Sequence, residues 1–414
     1  MRIWELGREG TPVEQIDIAA PAFKADPYAA LRRLREERPV AQVRVGRRRS
    51  VWLVTRYEDA VAALKHPLLI KDKFAMLAAT GMPLGAWMPG FARPLARNML
   101  DIDDPDHRRL RAIVQPAFNP RLIERMRARV AELTGELLDG LAARGSFDLV
   151  ADYAMPLPTT IIAEMLGVPV RDRAKFHRWT RTIVLADSSN LAMLTALPSV
   201  WSFVRYLRRL IEEKRREPAD DLISALVLAK AEGERLDADE VLAMAFLLLV
   251  AGHETTVNLI GNGMLALIEH PEALARLRED PEAVKPAVEE MLRYCGPLMT
   301  ATERYASEEL ELGDTTIPQG SLVYVSVASA NRDQAAFPQA DQFLIGREPN
   351  RHLAFGHGMH FCLGSSLARL EGQIALGAFA SRFPNVRLAV DRSRLRWKGG
   401  VTLRGLLSLP LAIR

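Results

Sequence analysis

The sequence predicts a mainly α-helical fold with small β-sheets. Most of the chain has apolar residues at helical spacing, in segments that end at short proline- or glycine-containing breaks. One segment, residues 237–270, is much longer than the others and corresponds to a helix of roughly 50 Å at about 1.5 Å per residue. Strand-like segments are few and short. We therefore expect one helix-rich domain over residues 25–414, preceded by a terminal segment of residues 1–24.

The elements can be assigned in order along the chain. Two strands on either side of Gly46-Arg47-Arg48-Arg49 predict a hairpin. The long helix begins with Asp237 and Glu240 in a capping-box pattern, and its front half is apolar on all sides, as in a buried helix. The expected strands are residues 40–45, 51–55, 322–328, 386–390 and 409–413. The other expected helices are residues 27–38, 57–65, 120–143, 158–166, 171–185, 200–216, 281–294 and 365–377, with one more that the acidic run 103–106 opens.

Composition limits the classes of function. The 414 residues are 49% hydrophobic and 26% charged, which is usual for a globular protein. The net charge of +4, from 55 basic and 51 acidic residues, is too balanced for nucleic acid to be the main ligand. With only two cysteines, Cys295 and Cys362, we expect no disulfide framework and a reducing compartment. The N-terminus lacks a signal-peptide core and residues 241–252, the longest apolar run, are too short to span a bilayer, so we expect a soluble, cytoplasmic protein without a membrane anchor.

Residues 70–99 form a long irregular segment. It contains prolines and glycines among large apolar side chains: Phe74, Met76, Leu77, Met82, Leu84, Trp87, Met88 and Phe91. A loop of this length inside a compact domain often has a function. A substrate lid and a packed connector are both compatible with this segment.

Residues 355–364, Phe-Gly-His-Gly-Met-His-Phe-Cys-Leu-Gly, form the most informative stretch. Three glycines let the backbone turn tightly and approach a flat or bulky ligand. Cys362 precedes an amphipathic helix, whose N-terminus favours a thiolate. A zinc site with His357 and His360 would lack an evident fourth ligand, and a Cys–His nucleophile pair would lack an orienting group. The glycines and phenylalanines fit a flat aromatic ligand better, although a structural cysteine also stays open.

Four motifs, in this order, resemble the cytochrome P-450 superfamily in its bacterial, soluble branch. They are the helix with His107 and Arg111, the run Ala251-Gly252-His253-Glu254-Thr255-Thr256, the run Glu290-Met291-Leu292-Arg293, and the cysteine loop. The segments Asn331-Arg332-Asp333 and Arg351-His352-Leu353-Ala354 agree with that branch. The resemblance extends over about residues 25–414. It implies the fold of that superfamily, a single triangular helix-rich domain with a long central helix over the haem.

The resemblance also implies a cofactor and its binding residues. The cofactor is haem b, iron protoporphyrin IX, with Cys362 as the axial thiolate ligand in a loop that includes Phe355 and Gly364. The implied cationic partners of the haem propionates are His107, Arg111, Arg304 and His360. Ala251 and Gly252 would border an oxygen pocket, with Gly252 widening the long helix locally.

Two further pairs receive roles from the resemblance. Thr255 and Glu254 would be catalytic and deliver protons during oxygen activation. Glu290 and Arg293 would form a buried structural pair, joined to the segment before the cysteine loop through Arg347.

The implied activity is that of a haem-thiolate monooxygenase, which uses dioxygen to hydroxylate or epoxidise a mostly apolar small molecule. The chain has no nucleotide-binding fingerprint and no cysteine set for an iron–sulfur cluster, so electrons from NAD(P)H would arrive through a ferredoxin reductase and a ferredoxin. We expect a monomer without a nucleic-acid or membrane partner. Arg108 and Arg109 cannot both share the face of His107 and Arg111, so at least one should face solvent, where it would dock the acidic iron–sulfur protein.

Alternatives on the same fold are a peroxide-dependent hydroxylase and a haem isomerase, against which the pair Glu254 and Thr255 argues. A haem carrier or gas sensor would need neither residue. The substrate itself is not predicted, because residues 70–99 and 298–302 would decide it.

Overall fold

The computed structural model describes residues 13–46, 49–74, 76, 90–118, 120–185, 190–231 and 233–413. The Cα positions group into two compact units. Met1–Ile70, Val130–Met155 and Thr255–Arg414 belong to the first unit, and Lys71–Arg129 and Pro156–Glu254 to the second. The single-domain organisation expected from the sequence stays a prediction. Residues 75 and 77–89 of the irregular segment 70–99, for which a lid and a packed connector were both compatible, lie outside the described residues.

Helices dominate both units. In the described ranges the α-helices are α1 Pro21–Ala25, α2 Tyr28–Glu37, α3 Tyr57–Lys65, α4 Asp106–Val114, α5 Pro120–Ala142, α6 Pro156–Met165, α7 Val170–Leu185, α8 Asn190–Arg216, α9 Leu222–Leu228, α10 Ala238–Glu269, α11 Pro271–Glu279, α12 Val284–Cys295, α13 Val327–Ala330 and α14 Ser365–Arg382. The strands are β1 Glu14–Asp17, β2 Val40–Val45, β3 Arg49–Val54, β4 Leu69–Ile70, β5 Ser146–Asp148, β6 Lys230–Ala231, β7 Glu234–Arg235, β8 Arg304–Ala306, β9 Leu310–Leu312, β10 Thr315–Ile317, β11 Leu322–Val325, β12 Arg387–Leu388 and β13 Pro410–Ala412. The expectation of a mainly α fold with small sheets is confirmed.

The first unit contains a six-stranded sheet in the order β1-β2-β3-β11-β8-β4. The predicted hairpin is confirmed, because β2 and β3 pair antiparallel from Val40 opposite Val54 to Val45 opposite Arg49. Strand β11 then adds parallel to β3. Apolar residues of β3 and β11 pack on α3 and form one buried core, which includes Val54 and Val325.

The predicted C-terminal strands are confirmed with shorter bounds. β12 and β13 pair antiparallel, and β13 also pairs with β5, which completes a three-stranded sheet. Next to the sheets, α12 packs against α14. The buried residues of α12 include the apolar side chains of Ala287, Val288, Met291 and Leu292, at the spacing that an amphipathic helix gives.

The second unit is built from α4, α6, α7, α8 and α9, with the small hairpin β6-β7. Helices α7 and α8 pack through aromatic side chains, with the ring centroids of Phe176 and Phe203 5.5 Å apart. An edge contact between Trp179 and Phe203 at 6.2 Å extends this cluster. These rings bury the apolar faces of both helices.

The long helix α10 runs from the second unit into the first, with the boundary between Glu254 and Thr255. Its predicted capping box is confirmed. Asp237 Oδ1 accepts from the Glu240 backbone N–H at 2.8 Å, and Glu240 Oε2 accepts from the Asp237 N–H at 2.9 Å. The helix is long and apolar enough to cross a membrane, but 61% of its most apolar window is buried within the protein, as for a core helix.

Several boundaries expected from the sequence are wrong, among them the end of the helix expected at residues 365–377, which continues to Arg382. The strand expected at residues 322–328 ends at Val325, because Ser326 caps a short helix and its hydroxyl accepts from the Ser329 N–H. The helix expected to begin at residue 200 begins at Asn190 and continues through Pro198. A proline removes one backbone hydrogen bond, and here the helix tolerates that loss.

The first helix is bound to the last part of the chain. Lys24 of α1 is fully buried, and its Nζ donates to the carbonyl oxygens of Val401, at 3.1 Å, and Leu403. In return, Arg404 Nε donates to the Lys24 carbonyl at 3.1 Å. Burial, together with the charge of Arg404, lowers the pKa of Lys24 to about 7.

Candidate functional site

The cysteine loop, residues 355–364, is a tight turn in the first unit. Gly356 and Gly358 have φ of +72° and +76°, a region that side chains other than glycine rarely adopt. The backbone N–H of Cys362 donates to the Phe355 carbonyl at 2.9 Å, which closes the loop. Cys362 lies two residues before Gly364, the N-cap of α14, as the sequence predicts. The thiol therefore projects from a rigid turn at the start of a helix.

The two cysteines have opposite environments. Cys295 ends α12, is buried, and its Sγ donates to the Asn262 carbonyl at 3.6 Å. Burial raises the pKa of Cys295 to about 12, so this thiol stays protonated at neutral pH. Cys362 is exposed. Only Cys362 is therefore accessible to an external ligand.

Midway along α10, the buried surface of the helix is interrupted. Ala251 and Gly252 are exposed, whereas His253 and Glu254 are buried. The His253 ring donates from Nδ1 to the Leu249 carbonyl at 2.7 Å, so this imidazole satisfies a group within its own helix. Two small exposed residues leave the helix backbone open to a ligand at this point.

The expected widening of α10 at Gly252 is not observed. The helix is continuous from Ala238 to Glu269, without a π-turn. A Cβ at Gly252 would lie 3.7 Å from Ile162 Cδ1 and 3.9 Å from Ile162 Cγ1, which is ordinary contact. Glycine permits a distortion, but a kink also needs a group that inserts into the hydrogen-bond ladder.

Beyond the unit boundary, α10 contacts α14 through a buried polar pair. Thr256 and Glu371 are each 2% exposed, and they share a hydrogen bond. Burial raises the pKa of Glu371 to about 8, and the hydrogen bond from Thr256 opposes part of this rise. Glu371 is therefore mainly protonated at neutral pH.

The expected contact between Glu290 and Arg293 is present and fully buried. Arg293 Nη2 and Nε donate to the two Glu290 oxygens at 2.7 and 2.8 Å. Arg347 Nε joins them at 3.2 Å from Glu290 Oε2, as expected from the sequence. The Leu344 N–H also donates to Glu290 Oε1, at 2.8 Å. This carboxylate thus fastens the segment before the cysteine loop to α12.

The expected propionate partners occupy both units. In the first unit Arg304 lies on β8, is 3% exposed, and donates from Nη1 to the Thr302 carbonyl at 3.0 Å. In the second unit His107 and Arg111 share one face of α4, and His107 is buried. Burial and the charge of Arg111 lower the pKa of His107, against the effect of Asp104 and Asp103.

The expectation that Arg108 or Arg109 faces solvent is confirmed for Arg108, whose side chain is 82% exposed. Docking through Arg109 is not supported. The Arg109 guanidinium is bound to Glu240 and lies 3.6 Å from Glu234, so its charge is already neutralised within the second unit. Arg108 pairs with Asp104, four residues before it, at 2.6 Å.

A zinc site receives no support. Over the ranges that the structure describes, no three His, Cys, Asp or Glu side chains are grouped as metal ligands. A cleft of about 500 Å³ in the second unit is lined largely by charged side chains, including Arg93, Arg97, Arg208 and Asp239. Such walls do not suit an apolar substrate.

The family model of cytochrome P-450 matches residues 22–392 of the chain. The chain belongs to the cytochrome P-450 family. Cytochrome P-450 107B1 of Saccharopolyspora erythraea is 46% identical over 392 residues, with 94% of this chain and 96% of that protein covered. The 6-deoxyerythronolide B hydroxylase of the same organism is 40% identical, with 96% and 98% covered. The solved structure of PksS, a bacillaene polyketide synthase cytochrome P-450 from Bacillus subtilis, superposes with a TM-score of 0.89 at 38% identity, with 96% of this chain and 100% of that chain covered.

Family membership establishes the enzyme class. The protein is a haem-thiolate monooxygenase, an oxidoreductase that incorporates oxygen from dioxygen into a small molecule with electrons from a redox partner. The donor set of the chain fits a haem with a thiolate ligand. Cys362 offers an exposed soft sulfur on a tight turn, and a Cβ at Gly364 would meet no atom within 4 Å, which leaves room beside the thiol.

The contacts of several residues in the first unit were not predicted from the sequence. These residues are Glu371 on α14 and a polar cluster of Glu289, His352 and Arg369. Glu371 had a weak signal, since it stands between the apolar positions Leu370 and Gly372 of an otherwise buried helix face. No role was predicted for Glu289, because the recognised motif begins at the next residue, Glu290.

Proposed function

We propose that Cys362 is the axial thiolate ligand of a haem b and that the enzyme hydroxylates or epoxidises a mostly apolar, polyketide-type molecule. The observation that carries the ligand assignment is the contrast between the two cysteines. Cys362 is exposed on a turn shaped by left-handed glycines, whereas burial raises the pKa of Cys295 to about 12. A thiolate, not a thiol, is the metal ligand.

A haem held by Cys362 would supply the activation of dioxygen, and electron donation from the thiolate would favour O–O cleavage. Around it, this chain supplies protons and positive charge. The Thr255 hydroxyl and the Glu254 carboxylate deliver protons along α10, with Ala251 and Gly252 leaving space beside them. The two propionates are bound by the cationic or hydrogen-bonding side chains of His107, Arg111, Arg304 and His360.

The substrate class follows from relatives of known name. One relative is a 6-deoxyerythronolide B hydroxylase, and one similar solved structure is that of a polyketide synthase cytochrome P-450. A polyketide-type substrate is therefore the proposal for this chain. Electrons come from NAD(P)H through a ferredoxin reductase and a ferredoxin, and Arg108 offers an exposed charge for an acidic partner. The enzyme acts in the cytoplasm as a monomer.

Spectroscopy of the reduced, carbon-monoxide-bound protein tests the ligand assignment. A thiolate ligand gives a red-shifted Soret band. Cys295→Ser should keep this band and Cys362→Ser should abolish it. The opposite result for the two variants would show that the assignment is wrong. Binding of candidate polyketides is scored separately, from the spectral change that accompanies displacement of water from the iron.

A further inference from the structure

A polar cluster in the first unit connects α12, α14 and the segment before the cysteine loop. Arg369 of α14 donates to both carboxylate oxygens of Glu289, from Nε at 2.7 Å and from Nη2 at 2.9 Å. His352 lies with its Nε2 3.1 Å from Glu289 Oε2. The His352 side chain is 3% exposed, and that of Glu289 is 28% exposed. A bidentate arginine contact and a buried imidazole fix the carboxylate in one geometry.

The hydrogen bonds assign the tautomer of His352. Its Nδ1 accepts from the Ala354 backbone N–H at 3.3 Å, so the ring proton is on Nε2 and is donated to Glu289. Burial alone would raise the pKa of Glu289, but the hydrogen bonds from His352 and Arg369 lower it to about 2. The carboxylate therefore stays ionised over the working pH range.

The cluster contacts the first residue of the cysteine loop. The Arg369 guanidinium lies 4.4 Å from the centroid of the Phe355 ring, and the His352 ring lies 5.9 Å from it. Phe355 is 9% exposed, and its carbonyl accepts the Cys362 N–H at 2.9 Å. An arginine over an aromatic face adds an attraction and restricts the ring. Glu289 therefore orients Arg369 and His352, these orient Phe355, and Phe355 orients Cys362.

We propose that Glu289, His352 and Arg369 are positioning residues that fix the Phe355 end of the cysteine loop and thereby keep Cys362 in the geometry of a thiolate ligand. This inference rests on the proposed role of Cys362. Glu289 has a task distinct from that of its neighbour Glu290. Glu290 anchors residues 344–350 through Leu344, Arg347 and Asn350, whereas Glu289 fixes the loop itself.

The variant Glu289→Gln tests the inference in the haem-loaded enzyme. Glutamine keeps the shape of the side chain, but it removes the negative charge and replaces one of the two acceptor oxygens by an NH2 donor, which cannot accept from Arg369 or His352. We expect about a tenfold shift from the thiolate-ligated toward the thiol-ligated form of the reduced, carbon-monoxide-bound protein, read from its Soret bands. The reduction potential should rise, because electron donation by the sulfur weakens.

The matched control is Glu282→Gln, which removes an exposed carboxylate just before the same helix, where it pairs with Lys285 at 2.8 Å. This control should leave both the Soret bands and the potential unchanged. Arg369→Gln should reproduce Glu289→Gln, and the double variant should be no worse than either single one. Arg369→Lys should retain part of the thiolate-ligated form that Arg369→Gln loses, because lysine keeps the positive charge but not the bidentate guanidinium. Phe355→Leu, which leaves the ion pair intact, should give the same spectral shift.

The outcomes separate the possible failures. If the parent protein lacks the thiolate band, the assignment of Cys362 fails. A second outcome is a parent that has that band and a Glu289→Gln variant with a lower melting temperature but the same Soret bands and reduction potential as Glu282→Gln. In that case the cluster only stabilises the fold, and the positioning role is refuted. Additive effects of the Glu289 and Arg369 variants would also refute it, because the two side chains would then not act as one unit.

Discussion

The buried carboxyl of Glu371 should make the stability of the protein depend on pH. Its ordinary pKa is 4.5, and burial raises it to about 8. Because the folded pKa is above the unfolded one, the favourable contribution is fully present below about pH 4.5, decreases as the unfolded chain ionises, and is lost above about pH 8. At 1.36 kcal/mol for each pKa unit, this difference corresponds to about 5 kcal/mol of unfolding free energy.

The perturbation is Glu371→Gln, which mimics the protonated carboxyl and cannot ionise. We expect this variant to lose most of the decrease in stability between about pH 4.5 and about pH 8, and to be more stable than the parent above neutrality by a few kcal/mol. Thr256→Val should have the opposite effect. Its hydroxyl opposes the rise in pKa, so its removal extends the pH-dependent loss to higher pH.

Urea unfolding of the haem-loaded protein, followed by the Soret band and by far-ultraviolet circular dichroism over this pH range, measures the effect. Glu282→Gln is the control, because this carboxylate is exposed on the surface. A Glu371→Gln variant whose pH dependence equals that of the parent would refute the reasoning. Glu371 would then be ionised in the folded protein in spite of its burial.

Three further predictions concern catalysis, docking and packing. Thr255→Ala should bind substrate normally but release more hydrogen peroxide, because proton delivery is impaired; an unchanged ratio of product to NAD(P)H consumed would contradict its role. Arg108→Glu should slow reduction by an acidic ferredoxin in stopped-flow experiments, and this effect should disappear as salt shortens the Debye length from about 10 Å at 0.1 M toward 3 Å at 1 M. A reduction rate that changes neither with the substitution nor with the salt concentration would exclude docking at this face. Gly405→Ala should destabilise the protein by about 1–3 kcal/mol, because the new Cβ would overlap the carboxamide of Asn258, which is 2% exposed. The control Gly140→Ala, whose Cβ would meet no atom within 4 Å, should stabilise α5 by about 0.5–1 kcal/mol. Urea unfolding measures both effects.

Features that depend on neighbouring residues could be predicted from the sequence. The hairpin of β2 and β3 and the capping box of Asp237 and Glu240 are local patterns, and both are present. The cysteine loop was recognisable because its glycines, cysteine and phenylalanines are consecutive. Local patterns also caused the errors at Ser326 and Pro198, where a cap and a proline were given the wrong weight.

The remaining features depend on partners far apart in the chain. Glu289 is 63 residues from His352 and 80 from Arg369, so no spacing in the sequence connects them. Lys24 is 377 residues from Val401, and as a lysine it would be expected on the surface. The ion pair of Arg109 with Glu240 likewise joins residues 131 positions apart, and this pair removed Arg109 from the expected docking face.

The bond between α1 and the last part of the chain has a consequence for synthesis on the ribosome. The carbonyl acceptors of Lys24, on Val401 and Leu403, lie 377 and 379 residues after it, so they are translated much later. Helix α1 therefore cannot complete its native contacts until residue 403 has left the exit tunnel. Domains usually fold from the N-terminus as they emerge. In this protein the native packing of α1 is delayed. A nascent chain arrested before residue 401 should therefore leave α1 exposed to chaperones or proteases.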